Sequence, residues 1–141
     1  MKLDLSPLYH AFASMEKSMN FLNSDLAQDS DLKEQFRNSV IQCFEFTYEL
    51  AVKMLRRHLA RISSDASNVQ QMTYMELIRT SAQVGLLTEV AHYRRYRDMR
   101  NITSHTYNVN RAEEIIAILP EFRNDIRALL AELEKRNIDE D

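Results

Sequence analysis

The sequence predicts an all-α fold, an antiparallel up-and-down bundle of four to five helices that dimerises. Three observations point there. One Gly and two Pro in 141 residues leave few sites for tight turns, while Leu, Ala, Glu, Arg and Met supply helix formers throughout. Apolar residues recur at spacings of three and four along most of the chain, the period of an α-helix. The second of the helical stretches carries more apolar surface than one side of a bundle can cover, which suggests burial on several sides or a shared face. The length suits a single domain, residues 1–141, around one core.

Ser6 followed by Pro7 predicts a helix entry, with Ser as cap and Pro losing nothing in the first turn. Leu8, Phe12, Met15, Met19, Leu22 and Leu26 then draw one stripe over residues 7 to 27. The second helix is expected over residues 32 to 62, with Phe36, Val40, Cys43, Phe44, Leu50, Ala51, Met54 and Leu55 spread over more than one face. The polar SSDASNVQQM reads as a surface loop. Thr73 with Glu76 three residues on makes a capping box for a short third helix, which Gly85, the only glycine, should end in a left-handed cap. A fourth helix is expected over residues 86 to 104, and a fifth from an Asn110 and Glu113 capping box through Leu133. Pro120 inside the fifth should kink it and not end it, because the apolar period continues. The tail NIDED reads as solvated.

The lone Cys43 cannot form an intramolecular disulfide and reads as a packed thiol in a reducing setting. The start MKLDLSPL lacks the apolar core of a signal peptide, and no 18 apolar residues run together. No membrane association is expected, and a cytoplasmic location is. His10, His58, His92 and His105 are scattered without ligand spacing, so no metal and no other cofactor is expected.

Charge is segregated along the chain although the formal net charge is only −3. Lys53, Arg56, Arg57 and Arg61 give +4 over nine residues, and Arg94, Arg95, Arg97 and Arg100 against Asp98 give +3 between His92 and His105. Tyr93, Arg94, Tyr96 and Arg97 form an Arg and Tyr alternation suited to RNA, since guanidinium groups grip phosphate and aromatic faces stack on bases. The competing reading pairs these arginines with Glu45, Glu49, Glu89 and Asp98 in surface networks.

In the octet RNITSHTY, residues 100 to 107, the apolar rhythm fades. Asn101 and His105 share a helix face, and if Ile102, Thr103 and Ser104 loosen the last turn, Arg100 joins them. Imidazole can take and return a proton near neutral pH, guanidinium can stabilise a developing anion, and Asn can orient the ring. That set suits metal-independent RNA cleavage by its own 2′-hydroxyl. The plainer alternative is a His that satisfies a helix end.

Arg100, Asn101 and His105 in the arrangement R-N-x-x-x-H resemble the signature of HEPN domains, and Tyr107 extends it to the R-x-x-x-x-H-x-Y form of HEPN toxins paired with minimal nucleotidyltransferase antitoxins. FEFTYELAVKMLRRHL, residues 44 to 59, is similar to the helix F-E-F-T-x-E-L-x-x-K-x-L-x-x-x-L of the branch named nucleotidyltransferase substrate-binding protein. The resemblance spans residues 5 to 135. It implies a dimeric helical bundle with a cleft between the copies. It further implies a co-encoded nucleotidyltransferase partner, Arg100 and His105 as catalytic residues with Asn101 positioning them, and Tyr107 as the hydroxyl that receives AMP. One departure is Val52, where this branch often has Trp. Two functions follow from the resemblance: a ribonuclease toxin neutralised by its partner, or a non-catalytic subunit whose cleft binds a nucleotide or docks the transferase. A nucleotidyltransferase in its own right is not expected, as no Gly-Ser followed by paired Asp is present to hold magnesium.

Overall fold

A computed structural model describes residues 2–137. Among them are six α-helices and no strand: α1 Ser6–Leu22, α2 Ser30–Ile62, α3 Ala66–Gln71, α4 Tyr74–Gln83, α5 Val90–Asn101 and α6 Val109–Arg136, with 3-10 turns at Asp25–Gln28 and Thr103–His105. The contacts give the direction of each helix. Phe21 stacks on Phe36 and Ser18 reaches Ser39, so α1 and α2 run antiparallel. Glu16 pairs with Arg127 and Tyr9 bonds Glu134, so α1 also opposes α6. Arg37 with Glu113 and Arg61 with Asn137 keep a constant offset, so α2 and α6 are parallel. The chain from α5 into its 3-10 turn opposes α2, since Arg100 reaches Glu49 while Thr103 reaches Glu45, and α5 opposes α6, since His92 meets Asp125 while Arg95 meets Glu121. Four helices, α1, α2, α5 and α6, therefore alternate in direction, and α3 and α4 form the connection between the middle two. No helix among the described residues is long and apolar enough to cross a membrane.

Several element boundaries differ from the expected ones, each for a local reason. Ser6 is the first residue of α1 and does not cap it; its N–H donates to the Asp4 carboxylate at 3.0 Å. α1 stops at Leu22, short of residue 27, because the Ser24 hydroxyl takes the Phe21 carbonyl at 2.6 Å and competes with the helix. Leu26, expected on the stripe, is exposed as a result. α2 starts two residues early because Asp29 accepts from the N–H groups of Asp31 and Leu32. SSDASNVQQM holds α3, capped by Asp65 and pinned by buried Val69. Arg56 closes its far end by donating to the carbonyls of Val69 and Met72 at 3.0 and 3.1 Å. One basic residue of the +4 stretch is thus a structural clamp. α5 begins at Val90, not at residue 86, since Leu86 and Leu87 leave the chain as buried anchors of a connecting segment. Asn108 caps α6 in place of Asn110, whose N–H it receives at 2.9 Å. The helix continues through Pro120, as the unbroken period requires. Most of the tail NIDED lies outside the described residues.

At α4 the Thr73 half of the capping box and the left-handed glycine are both in place. Thr73 Oγ1 accepts from Glu76 N–H at 3.2 Å, and Gly85 sits at φ +83°. The N–H of Leu86 reaches back to Ser81 O at 2.9 Å and that of Gly85 to Ala82 O at 3.0 Å, which closes the helix end. A Cβ at Gly85 would meet the Arg136 guanidinium at 3.0 Å, and the φ alone is strained for an L side chain. Gly85→Ala is therefore expected to lower stability by about 1–2 kcal/mol, read as a shifted urea midpoint with an unchanged slope.

Candidate functional site

The segment that carries the site hangs between α5 and α6. Helical hydrogen bonding ends at Asn101, and the β-branched and hydroxyl residues that follow form the loosened 3-10 turn Thr103–His105. Ile102 N–H bonds Met99 O at 3.1 Å and His105 N–H bonds Ile102 O at 2.9 Å. Thr103 is the buried residue of this turn. Its hydroxyl lies 2.8 Å from Arg100 O and 2.7 Å from Glu45 Oε2, which anchors the turn to α2.

The octet divides into two faces. Arg100 turns toward α2: its Nε and one terminal NH2 donate to the same Glu49 oxygen at 3.1 and 2.7 Å, and Glu45 lies 3.6 Å from the other terminal nitrogen. The hydrogen bond to Glu49 holds the guanidinium above its ordinary pKa. His105 and Tyr107 turn the other way, with ring centroids 6.3 Å apart in an edge-on arrangement. They line a cavity of about 410 Å³ together with Asn101, Ile102, Asn108 and Arg111. Of the three side chains expected to converge, Asn101 and His105 line this one cavity, while Arg100 is not among its lining residues. Tyr107 is 86% exposed, so its hydroxyl is open to another protein.

The Tyr and Arg alternation on α5 takes a different form from the one expected. Tyr93 and Tyr96 are three residues apart, face inward and are 3% and 0% exposed, so neither ring is available to stack on a base. Tyr96 packs edge-on to Phe122 with centroids 4.9 Å apart, and its hydroxyl donates to Asp125. Burial and the Asp125 carboxylate push the Tyr96 hydroxyl far above its ordinary pKa, and burial does the same for Tyr93. Arg97 lies over the Tyr74 ring at 5.6 Å, Arg95 pairs with Glu121, and Arg94 is exposed. The surface-network reading is realised for Arg100 with Glu45 and Glu49, whereas Arg95 pairs with Glu121, an acid outside the expected set.

His92 Nδ1 lies 2.9 Å from Asp125 and 3.6 Å from Glu121, and the three are the one His and carboxylate trio of metal-binding compactness among the described residues. Linear spacing could not reveal it, since α5 and α6 must first pack. Tyr96 and Arg95 already donate to its two carboxylates, and we assign it to fastening α5 against α6.

Reading by residue type missed four participants. Glu45 and Glu49 stand out in the sequence only as generic partners for arginine, yet they join the two motifs. The signal was present: both acids lie within FEFTYEL, one turn apart on one face. Asn108 lies just before the expected helix start and Arg111 just inside it, and no sequence pattern distinguishes either from an ordinary residue at a helix N-terminus.

Comparison with known proteins agrees with this picture. Residues 3–135 match the family described as nucleotidyltransferase substrate binding protein like. A relative from Haemophilus influenzae named probable ribonuclease HepT is 33% identical over 140 residues, covering 96% of this chain and 95% of its own. A solved structure from the same organism, described as the fold of a substrate binding domain of a nucleotidyltransferase, superposes with TM-score 0.88 at 30% identity, covering 93% of this chain and 99% of that one. A crystal structure of a Thermus thermophilus protein gives TM-score 0.70 at 27% identity, over 89% and 98% of the two chains. With the fold, the two motifs and a match over nearly the whole length in agreement, this chain belongs to the nucleotidyltransferase substrate binding protein like family.

Proposed function

We propose that this protein is the HEPN-type partner of a minimal nucleotidyltransferase, a metal-independent ribonuclease toxin that the partner neutralises by transferring AMP to Tyr107. The observation that carries the reading is the shared cavity: a proton-transfer group, His105, and an exposed phenol, Tyr107, line it side by side. In cleavage, His105 takes the proton of a ribose 2′-hydroxyl as that oxygen attacks the adjacent phosphorus. The P–O5′ bond breaks, the same proton returns to the leaving 5′-oxygen, and a cyclic phosphate remains. Asn101 orients the imidazole, and Arg100 balances charge on the phosphate by exchanging its bonds to Glu49 for phosphate oxygens. In neutralisation, the Tyr107 oxygen attacks the α-phosphorus of ATP, pyrophosphate leaves and the phenolic proton is lost to solvent. The new phosphate then occupies the cavity that RNA needs.

The test is RNA cleavage in the presence of EDTA, followed by incubation with the co-encoded nucleotidyltransferase and ATP. Cleavage is expected to survive EDTA and to cease as the protein gains the mass of AMP. Tyr107→Phe keeps the ring and removes the acceptor oxygen, so it should still cleave and gain no mass. Full modification of Tyr107→Phe would refute the assignment.

A second reading, the non-catalytic binding subunit, draws on the Arg100 geometry. Its guanidinium is already engaged by two carboxylates and does not line the cavity of His105. Under that reading the EDTA experiment shows no cleavage while docking to the transferase persists.

A homodimer belongs to the proposal. On α2, Phe46 is 48% exposed and forms a shallow surface pocket with Glu49, Leu50 and Lys53, beside the acids that hold Arg100. Stable interfaces bury on the order of 1,600 Å² in total. Sedimentation is expected to show a dimer at micromolar concentration, with Phe46→Glu shifting it toward monomer.

A further inference from the structure

We propose that the cavity between the 3-10 turn and the start of α6 binds the phosphate of a nucleoside monophosphate, with Arg111 as the cation that holds it. This deepens the function proposed above, because the phosphate placed on Tyr107 would lie in the same cavity. Five of its six lining residues, Asn101, His105, Tyr107, Asn108 and Arg111, carry hydrogen-bonding side chains, and none is a carboxylate. A volume of about 410 Å³ falls within the range of small-molecule sites and can admit more than a bare anion.

Arg111 is the one guanidinium among those residues, and it is available. Its ion pair with Glu114 is long at 3.5 Å, and both side chains are about half exposed, at 51% and 49%. Such a pair holds its members weakly. Arg100 is in the opposite condition, with two bonds to Glu49 and a third to Thr103. A phosphate entering beside His105 therefore meets Arg111 without first having to break a paired network. Guanidinium and phosphate form charge-assisted bonds of matched geometry, so Arg111 also fixes how the nucleotide lies.

The test is a calorimetric titration of the full chain with 5′-AMP, without RNA or transferase, so that absence of ribonuclease activity does not bear on it. Wild type should bind AMP, Arg111→Ala should weaken binding on the order of 10- to 100-fold, and Arg111→Lys should fall between them. Arg127→Ala, which removes one positive charge elsewhere on α6, should leave the affinity unchanged. Adenosine should bind much more weakly than AMP. A thymidine dinucleotide, whose single phosphate is an internal diester, should also bind more weakly than AMP. Equal affinity of wild type and Arg111→Ala overturns the proposal, as does wild type that does not bind AMP. Adenosine matching AMP makes the cavity a base site and overturns the phosphate assignment. Tighter binding of the dinucleotide assigns the cavity to a nucleic-acid backbone and overturns the mononucleotide. Circular dichroism of Arg111→Ala matching wild type is expected, since the side chain is half exposed and its one ion pair is long; if that variant unfolds, Arg111→Lys against wild type decides.

Discussion

His105→Ala is expected to lower the rate of RNA cleavage by about 10²–10⁴-fold, the usual worth of a positioned acid or base, with the thermal midpoint unchanged. The two halves of this expectation rest on different features. The rate should fall because His105 is the only cavity-lining side chain suited to moving a proton near neutral pH. The stability should hold because the imidazole is exposed, and the turn is held by contacts that the substitution leaves intact. Those are the His105 N–H to Ile102 O and the Thr103 hydroxyl to Glu45. Purified wild type and His105→Ala degrading RNA equally would assign the activity to a contaminant and favour the binding-subunit reading. A variant that loses cleavage and stability together would show that the ring is structural.

How much of this was legible in the sequence depended on whether the signal was local. Thr73 and Gly85 declare their roles through side-chain chemistry and backbone freedom that neighbours within one turn complete, and both are where the sequence puts them. The choice between Asn108 and Asn110 as cap was not local, because either can accept from the next turn and the preceding 3-10 turn decides. α3 has a single buried residue, Val69, and one point makes no period. Tyr93 and Tyr96 were legible as one helix face but not as the inward one, because Arg residues surround them and α6 must be in place before the inward side exists. The site shows the same division. Arg100, Asn101, His105 and Tyr107 were found as a motif, but a motif does not say which way a side chain turns. Glu49 draws Arg100 to α2 from 51 residues away, and Arg111 enters the cavity only because the chain reverses at Asn108.

Phe122→Ala is expected to destabilise the protein by about 3–5 kcal/mol, the range for removing a fully buried aromatic ring. Phe122 on α6 is 0% exposed and meets Phe44 of α2 edge-on at 4.8 Å and Tyr96 of α5 edge-on at 4.9 Å. Three helices thus meet on one ring, and edge-on aromatic pairs contribute about 0.5–1.5 kcal/mol each beyond the area they bury. Alanine would leave a cavity that Tyr96 cannot fill without giving up its bond to Asp125. Natural domains have roughly 5–15 kcal/mol in total, so the loss is a large share, and a urea midpoint should show it directly. Phe122→Leu keeps most of the volume and should lose less than about 1.5 kcal/mol. The effect should also reach the site. α5 is a 12-residue helix that is bound to α6 by Tyr96, His92 and Arg95, and Arg100 and the 3-10 turn follow directly from it. Loosening Tyr96 should let the α5 end fray, so hydrogen exchange at the amides of Ile102 and His105 should quicken more in Phe122→Ala than the global loss of stability accounts for. Exchange at those two amides that stays at the wild-type rate while the midpoint falls would show that α2 holds the turn alone, through Glu45 and Glu49.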